Sequence, residues 1–365
     1  MMKIPLIDLK TNYLSNKKEI DKAIQNVIDG ASFINGKYLK EFEKNYAKFC
    51  KAKHCIGAAN GTAALHLSLI ACGIKPNDEI VTVPNTFIAT TECISYVNGK
   101  IKFVDVEEDT SLIDIEKLRK QITKKTKALI IVHLYGQMPN MDEIKDLADE
   151  KNLILIEDAA QAHASEWKGK KPGFYGDVAS YSFFPAKNLG CFGDGGCVVT
   201  NNSEIAEKID LMVNHGRKEK YEHIIEGYNY RLDTIQASIL NAKLPSLKKL
   251  TEKKRKNALF YKKNLTNNVI KPVEKENAKH VYYMYVIRTK KRDKLKAYLK
   301  KQGISCGIHY PIPLHLQPAY KKLKLLKGSF PVSEMLSKEI LSIPVYPELT
   351  QEQLEYIVEK INAFF

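Results

Sequence analysis

The sequence predicts an α/β fold, with a large, mostly parallel sheet sandwiched by helices over residues 1–245 and a smaller C-terminal α/β domain over 246–365. Three observations lead there. Between about residues 55 and 200, short apolar runs alternate with helical stretches, the pattern of β-α units around a parallel sheet. After about residue 245 the texture changes to a Lys-rich helix, an aromatic strand and a Pro-rich stretch. And 365 residues of 44% hydrophobic composition can fill the cores of two domains.

Taken in order, "HCIGAAN" (54–60) gives a strand and "GTAALHLSLIAC" (61–72) an amphipathic helix. "EIVTVP" (79–84) is a strand leading into the helix "FIATTECISYV" (87–97). "ALIIVHLYG" (128–136) precedes the helix "MDEIKDLADEK" (141–151), "LILIEDAA" (153–160) is a further strand, and "CVVT" (197–200) another. In such sheets ligands collect where strands reach their carboxyl edge. Beyond the boundary, "KLPSLKKLTEKKRKNALFYKKNL" (243–265) carries apolar residues at helical spacing and predicts a helix with one solvated face. The strand "HVYYMYVIR" (280–288), the helix "KLKAYLKKQG" (294–303), the Pro-rich "HYPIPLHLQPAY" (309–320) and the closing helix "TQEQLEYIVEKINAFF" (350–365) complete the chain.

Composition excludes several classes. The apolar runs fall well short of the roughly 18 residues a membrane span needs, and the polar N-terminal stretch "MMKIPLIDLKTNYL" lacks the unbroken core of a secretory signal. Seven cysteines without a CxxC pair fit neither a disulfide framework nor a zinc knuckle, so reduced, mostly buried thiols in a cytoplasmic protein are expected, with no metal site. The net charge of +15 could suggest nucleic acid, yet only six of the 57 basic residues are arginine, the residue that base-edge reading favours. A basic surface equally steers a small anion such as a nucleotide diphosphate.

Four features bear on chemistry. "LILIEDAAQAH" is an apolar strand ending in Glu157 and Asp158; the GxxxxGK[ST] loop of a magnesium-binding NTPase is absent, and a buried carboxylate there needs a cationic partner. In "AANGTAALHLSL" the chain turns through Gly61 and Thr62 into a helix, whose N-terminus suits a phosphate or is simply capped. Phe87, in "VPNTFIAT", offers an aromatic face to a planar ring or fills the core. In "SYSFFPAKNLGCFGDGGCVVT" (180–200) the glycines do not spell GxGxxG and lead into a strand, which argues against a dinucleotide turn. That stretch sets Lys187 beside aromatics that would desolvate its amine and bring its pKa towards neutrality. A Schiff-base lysine, an aspartate for a pyridinium nitrogen and a helix N-terminus for a phosphate together describe a pyridoxal phosphate site.

The succession "NGTAALHL", "TFIAT", "VHLYGQ", "IEDAAQAH", "SFFPAKNLGCFGDGG", "NHGR", "GYNYRLDTIQA" and "HYPIPLH" resembles the DegT/StrS family of pyridoxal phosphate-dependent sugar-nucleotide aminotransferases, of the aspartate aminotransferase fold (fold type I), from about residue 5 to the last helix. The resemblance implies that Lys187 carries the cofactor as a Schiff base and moves the substrate proton, and that Asp158 keeps the ring nitrogen protonated. It implies that Gly61, Thr62 and Ser182 hold the phosphate, that Phe87 stacks on the ring and that Gln161 reaches its phenolic oxygen. It also implies a homodimer with composite active sites, in which Asn229 of the partner subunit adds a phosphate contact; by itself Asn229 reads as a loop residue before a helix capped near Asp233.

The implied reaction passes an amino group from L-glutamate, by way of pyridoxamine phosphate, to a nucleotide-linked keto-sugar. "VHLYGQ" and "HYPIPLH" look most like members acting at C-3 of a dTDP-linked 3-keto-6-deoxyhexose, with His309 and Tyr310 near the sugar and Lys220 from the partner subunit near the diphosphate. Lys220 reads otherwise as a solvated charge and His309 as a hydrogen-bonded loop residue. Phe184 stands where many relatives carry tyrosine, so any hydroxyl contact from that position is lost. The alternatives are a C-4 aminotransferase acting on a UDP-, GDP- or dTDP-4-keto-6-deoxyhexose, and a non-catalytic regulatory protein of the same fold. The sugar dehydratases of this fold lack the Schiff-base lysine that Lys187 supplies.

Overall fold

A computed structural model describes residues 2–365. Its centre is a seven-stranded sheet: β1 (His54–Ala58), β2 (Glu79–Thr82), β3 (Lys100–Phe103), β4 (Thr126–Val132), β5 (Ile154–Asp158), β6 (Val178–Ser182) and β7 (Gly196–Thr200), in the order β1-β7-β6-β5-β4-β2-β3. Only β7 runs against its neighbours. In β4, Ala128, Leu129, Ile130 and Ile131 are all fully buried, because helices cover both faces of the sheet; this is why such a strand reads as a continuous apolar run.

The helix Gly61–Ala71 departs from the amphipathic expectation. Ala63 to Leu69 are all buried, since it packs against β6, β7 and the helices Ala89–Tyr96 and Ser203–Val213, so no flank meets water. Its buried polar residue Ser68 is satisfied by Ser180 Oγ at 2.9 Å, which ties the helix to β6.

The C-terminal region adds β8 (Tyr285–Arg288) and β9 (Ile340–Ile343), an antiparallel pair. Helices Leu247–Asn264, Arg292–Lys301 and Gln351–Phe364 pack around them, enclosing Tyr261, Leu295, Ile357 and Ile361. Thr350 and Gln353 close a reciprocal capping box on the last helix. The strand expected over 280–288 is formed only from Tyr285, because Val281 and Tyr283 instead donate backbone bonds to Gly136 and Tyr135 of the large sheet's loops. The Lys-rich helix is also less simply solvated than its composition suggests: Lys254 is buried, as is Lys243 just before it. Helix Pro331–Glu339 and β9 carry no signal that composition or periodicity brought out.

All seven cysteines are free and five are buried. Among the described residues, no helix is long and apolar enough to cross a membrane.

Candidate active site

The parallel strands deliver the site to one edge of the sheet. In the strand register Ala58 pairs Gly196, Gly196 pairs Ser182, and Asp158 pairs Val132, so the carboxyl ends of β1, β4, β5 and β6 stand side by side. Over that edge lies a cavity of about 440 Å³ lined by Gly61, Thr62, Phe87, Asp158, Gln161, Ser182, Lys187 and Tyr310, eight of the residues that the sequence nominates.

Asp158 ends β5 and is 6% exposed. Thr90 Oγ1 donates to its Oδ2 at 2.7 Å and the Ala160 amide to its Oδ1 at 3.2 Å, while Thr86 Oγ1 lies 3.0 Å from Thr90 Oγ1. Among the described residues no cation is within bonding distance, and burial raises the carboxyl pKa against the lowering pull of those donors and of Lys187 and His133. Lys187 follows β6 through Phe183, Phe184, Pro185 and Ala186, with its backbone amide bonded to the Phe184 carbonyl at 2.8 Å. Its Nζ stands 4.5 Å from the centroid of the Tyr283 ring. Burial pushes its pKa down to about 8, with Asp158 opposing, so a useful fraction of the amine is neutral near physiological pH.

The phosphate cradle is built by close approach. Asn60 caps the Gly61–Ala71 helix, accepting from the Ala63 amide at 2.8 Å, and the amides of Gly61 and Thr62 have no intrahelical acceptor. A Cβ on Gly61 would stand 2.7 Å from Ser182 Cβ, and one on Gly196 only 2.4 Å from the Asn60 carbonyl. Ser182 is held from behind: His163 Nε2 donates to its carbonyl at 2.7 Å, and Tyr46 OH lies 2.7 Å from His163 Nδ1. Burial lowers the His163 pKa to about 3, so the ring is neutral and donates from Nε2.

Gln161 has its amide oriented by the Tyr135 backbone N–H on Oε1, at 2.7 Å, and by Tyr310 OH, 3.3 Å from Nε2. Phe87 is not a core residue: it is 53% exposed, with its ring 5.7 Å from that of Tyr310. Phe184, also exposed, shares the cavity wall. His309 does not line the cavity; its Nδ1 lies 2.8 Å from Ser342 Oγ and its carbonyl accepts from Tyr135 OH.

Asn229 and Lys220 lie outside the cavity. Asn229 is exposed and bridges Asn214; Lys220 is exposed between the short strands Arg217–Glu219 and Glu222–His223. Asp233 sits at the start of helix Thr234–Lys243 without a side-chain capping bond.

Sequence reasoning did not single out Thr86, Thr90, His133, Tyr283 or Asp194, all in the cavity wall. His133 is fully buried, with Nε2 2.7 Å from Glu157 Oε2, while Glu157 Oε1 accepts from the Gly173 and Gly176 amides. The threonines spaced four apart just after β2 carried a usable signal for one face of a turn; Tyr283 carried none.

Pyridoxal phosphate fits this donor set. It would meet an amine of lowered pKa for its aldehyde, a buried carboxylate without a charge partner for its ring nitrogen, and a cradle at Gly61, Thr62 and Ser182 too tight for a Cβ.

Comparison with known proteins agrees with the geometry. Residues 14–362 match the model of the DegT/DnrJ/EryC1/StrS aminotransferase family. The chain is 45% identical over 368 residues to a protein of Geobacillus stearothermophilus named pleiotropic regulatory protein, covering 100% of this chain and 99% of the relative. It is 40% identical to the dTDP-3-amino-3,6-dideoxy-α-D-galactopyranose transaminase of Aneurinibacillus thermoaerophilus, covering 99% of each. Its fold superposes on S. venezuelae DesV, solved in complex with a ketimine intermediate, with TM-score 0.98 and 36% identity over 100% of this chain and 99% of that one.

Proposed function

The chain belongs to the DegT/DnrJ/EryC1/StrS aminotransferase family, and from that premise we propose that it aminates C-3 of a dTDP-linked 3-keto-6-deoxyhexose with L-glutamate as amino donor. It is a pyridoxal phosphate-dependent sugar aminotransferase; the nucleotide, the carbon and the donor are the proposed part. The reading rests on one observation above all: a buried amine of lowered pKa and a buried, uncompensated carboxylate share a cavity that begins at a helix N-terminus. The choice of C-3 is supported by the relative named for a 3-amino-3,6-dideoxy sugar.

Pyridoxal phosphate, when bound, supplies an aldehyde for the travelling amino group and a ring that takes up an electron pair. The chain does the rest. Lys187 Nζ would hold the cofactor through its aldehyde carbon, and as a free amine it would take the proton from the donor's α-carbon and return one to the sugar carbon. Asp158, its orientation fixed by Thr90 and Ala160, keeps the ring nitrogen protonated. The amides of Gly61 and Thr62 and the Ser182 hydroxyl hold the phosphate. Phe87 would cover the ring face, Gln161 would reach the phenolic oxygen and Tyr310 would face the sugar, while His309, outside the cavity wall, would act only through its neighbour Tyr310.

Lys187 is the one lysine or arginine in the cavity wall among the described residues, so the charges of a diphosphate need a cation from elsewhere. This supports a homodimer in which the exposed 217–229 segment reaches a neighbouring site, with Asn229 of the partner subunit on the phosphate and Lys220 of the partner subunit on the diphosphate. We place the domain division at 245/246, although Ile4 of the N-terminal segment joins the apolar cluster of the C-terminal region, and the enzyme in the cytoplasm.

The Geobacillus relative's name favours a second, regulatory reading. The assembled set of Lys187, Asp158 and phosphate residues speaks for catalysis, since a regulator has no chemical need of all three. Incubation with purified dTDP-3-keto- and dTDP-4-keto-6-deoxyhexoses and L-glutamate, scored by NMR for the carbon that gains nitrogen, tests both. Amine at C-3 is expected; amine only at C-4 overturns the carbon, amine at neither overturns the dTDP-linked substrate, and the regulatory reading is favoured if UDP- and GDP-linked keto-sugars are not aminated either.

A further inference from the structure

Behind Lys187, on the side of the C-terminal region, lies a second and much smaller cavity of about 50 Å³. Lys187 and Tyr283 line both this space and the large one. The small cavity also holds Lys254, a lysine 8% exposed on helix Leu247–Asn264. Lys254 Nζ donates to Asn188 Oδ1 at 2.9 Å and to the Tyr283 carbonyl at 3.2 Å. Asn188 is the residue after Lys187, and its Nδ2 donates in turn to the Val281 carbonyl at 3.3 Å. Tyr283 is the residue whose ring lies 4.5 Å from Lys187 Nζ and 5.9 Å from Lys254 Nζ.

From this geometry we infer that Lys254 is a positioning residue for Lys187: one buried ammonium ties down both the peptide that follows the reactive lysine and the aromatic ring against which it lies. The inference rests on the assignment of Lys187 as the cofactor lysine.

Burying an ammonium is costly, and a methionine of similar length would fill the same space without that cost. Two hydrogen bonds to groups that flank Lys187 give the charge a reason to be there. Thr251 Oγ1, one turn back on the same helix and in the same cavity wall, is buried without a partner, and 50 Å³ is room for a water joining it to the remaining N–H of Lys254. Burial holds the Lys254 pKa down to about 7, with Glu348 opposing, so its charge changes close to physiological pH. The titratable groups around it are Lys187, Asp8, Tyr283, Tyr346 and Glu348 in the cavity wall and His280 on the neighbouring strand segment. Burial is what holds the Lys187 pKa down, so an anchor that keeps Asn188 and Tyr283 packed beside Lys187 disfavours its protonation.

The test is the pH midpoint of the visible absorbance of the pyridoxal phosphate-loaded protein. Lys254→Met is expected to move that midpoint up by about one pH unit, a tenfold change in the protonation equilibrium, and Lys254→Arg to bring it back towards wild type. Asn188→Ala, which cuts the same link from its other end, is expected to displace the midpoint as well, and gives the readout should the methionine variant fold poorly. A midpoint unmoved in the folded variants, even with a lowered Tm, overturns the inference and leaves Lys254 a packing residue. Lys187→Ala separates the premise: it is expected to abolish the visible band, and a band that survives overturns the assignment of Lys187 together with the inference.

Discussion

Two aspartates mark the ends of parallel strands in this sheet, and they lead opposite lives. Asp105, just beyond β3, is 4% exposed; Asp158, ending β5, is 6% exposed. Asp105 is saturated by protein: it accepts from the Val332 and Ser333 amides at 2.9 Å each, from Ser333 Oγ at 2.6 Å and from the Val106 amide at 3.0 Å. It thereby caps helix Pro331–Glu339 and staples the C-terminal region to the sheet. Asp158 has one hydroxyl and one amide, faces the large cavity, and has its pKa raised by burial. Residue type, exposure and place on the strand are shared, so what separates structure from chemistry is where the donors come from. A carboxylate completed by its own chain holds the fold together; one left short is completed by a ligand.

Substitution should therefore break the two in different currencies. Asp158→Asn is expected to lower kcat at least about a hundredfold, the scale of removing a preorganised charge from a reacting centre, while Tm stays near wild type; a normal kcat would contradict the role. Asp105→Asn turns an NH₂ towards amide donors and is expected to cost about 2–3 kcal/mol of stability, read by urea unfolding, with kcat of the folded fraction retained. An exchange of these outcomes would invert the comparison.

Gly61→Ala sharpens it at the phosphate end. The new Cβ must stand 2.7 Å from Ser182 Cβ, so helix and strand have to part. Cofactor affinity, measured by fluorescence titration, is expected to fall roughly tenfold, about 1.4 kcal/mol.

The smallest effect compares two buried lysines. Lys187 faces the cavity; Lys243 donates to the Gly190 carbonyl at 2.6 Å, and burial holds the pKa of each down to about 8. An unfolded lysine titrates near 10.5, so between about pH 8 and 10.5 the unfolded chain binds more protons than the folded one and stability rises with pH. Lys243→Met removes that dependence. Its Tm relative to wild type is expected to be highest near pH 7 and to decline towards pH 10; a difference independent of pH would show that Lys243 titrates normally.

The same contrast explains what the sequence disclosed. The β-α alternation, the apolar β4 and β5, and the acid pair at 157–158 were legible because two-sided burial and strand-end position leave local patterns. Lys187 stood out through its aromatic neighbours and its motif. Thr90 and Tyr283 did not, since they reach Asp158 and Lys187 only through tertiary packing across 68 residues in one case and the small-domain segment in the other. The burial of Lys243 and Lys254 was hidden by the run of solvated lysines around them. The helix after Gly61 read as amphipathic because its Thr, His and Ser look solvent-facing until neighbours cover every side.

The most direct measurement is the visible spectrum of the purified protein with added pyridoxal phosphate, before and after L-glutamate. A yellow band that bleaches with glutamate, and is absent from Lys187→Ala, is the expected result. A protein that is colourless once unbound cofactor has been removed by gel filtration would contradict the account, and Asp158 would then be a buried carboxylate still without an explanation.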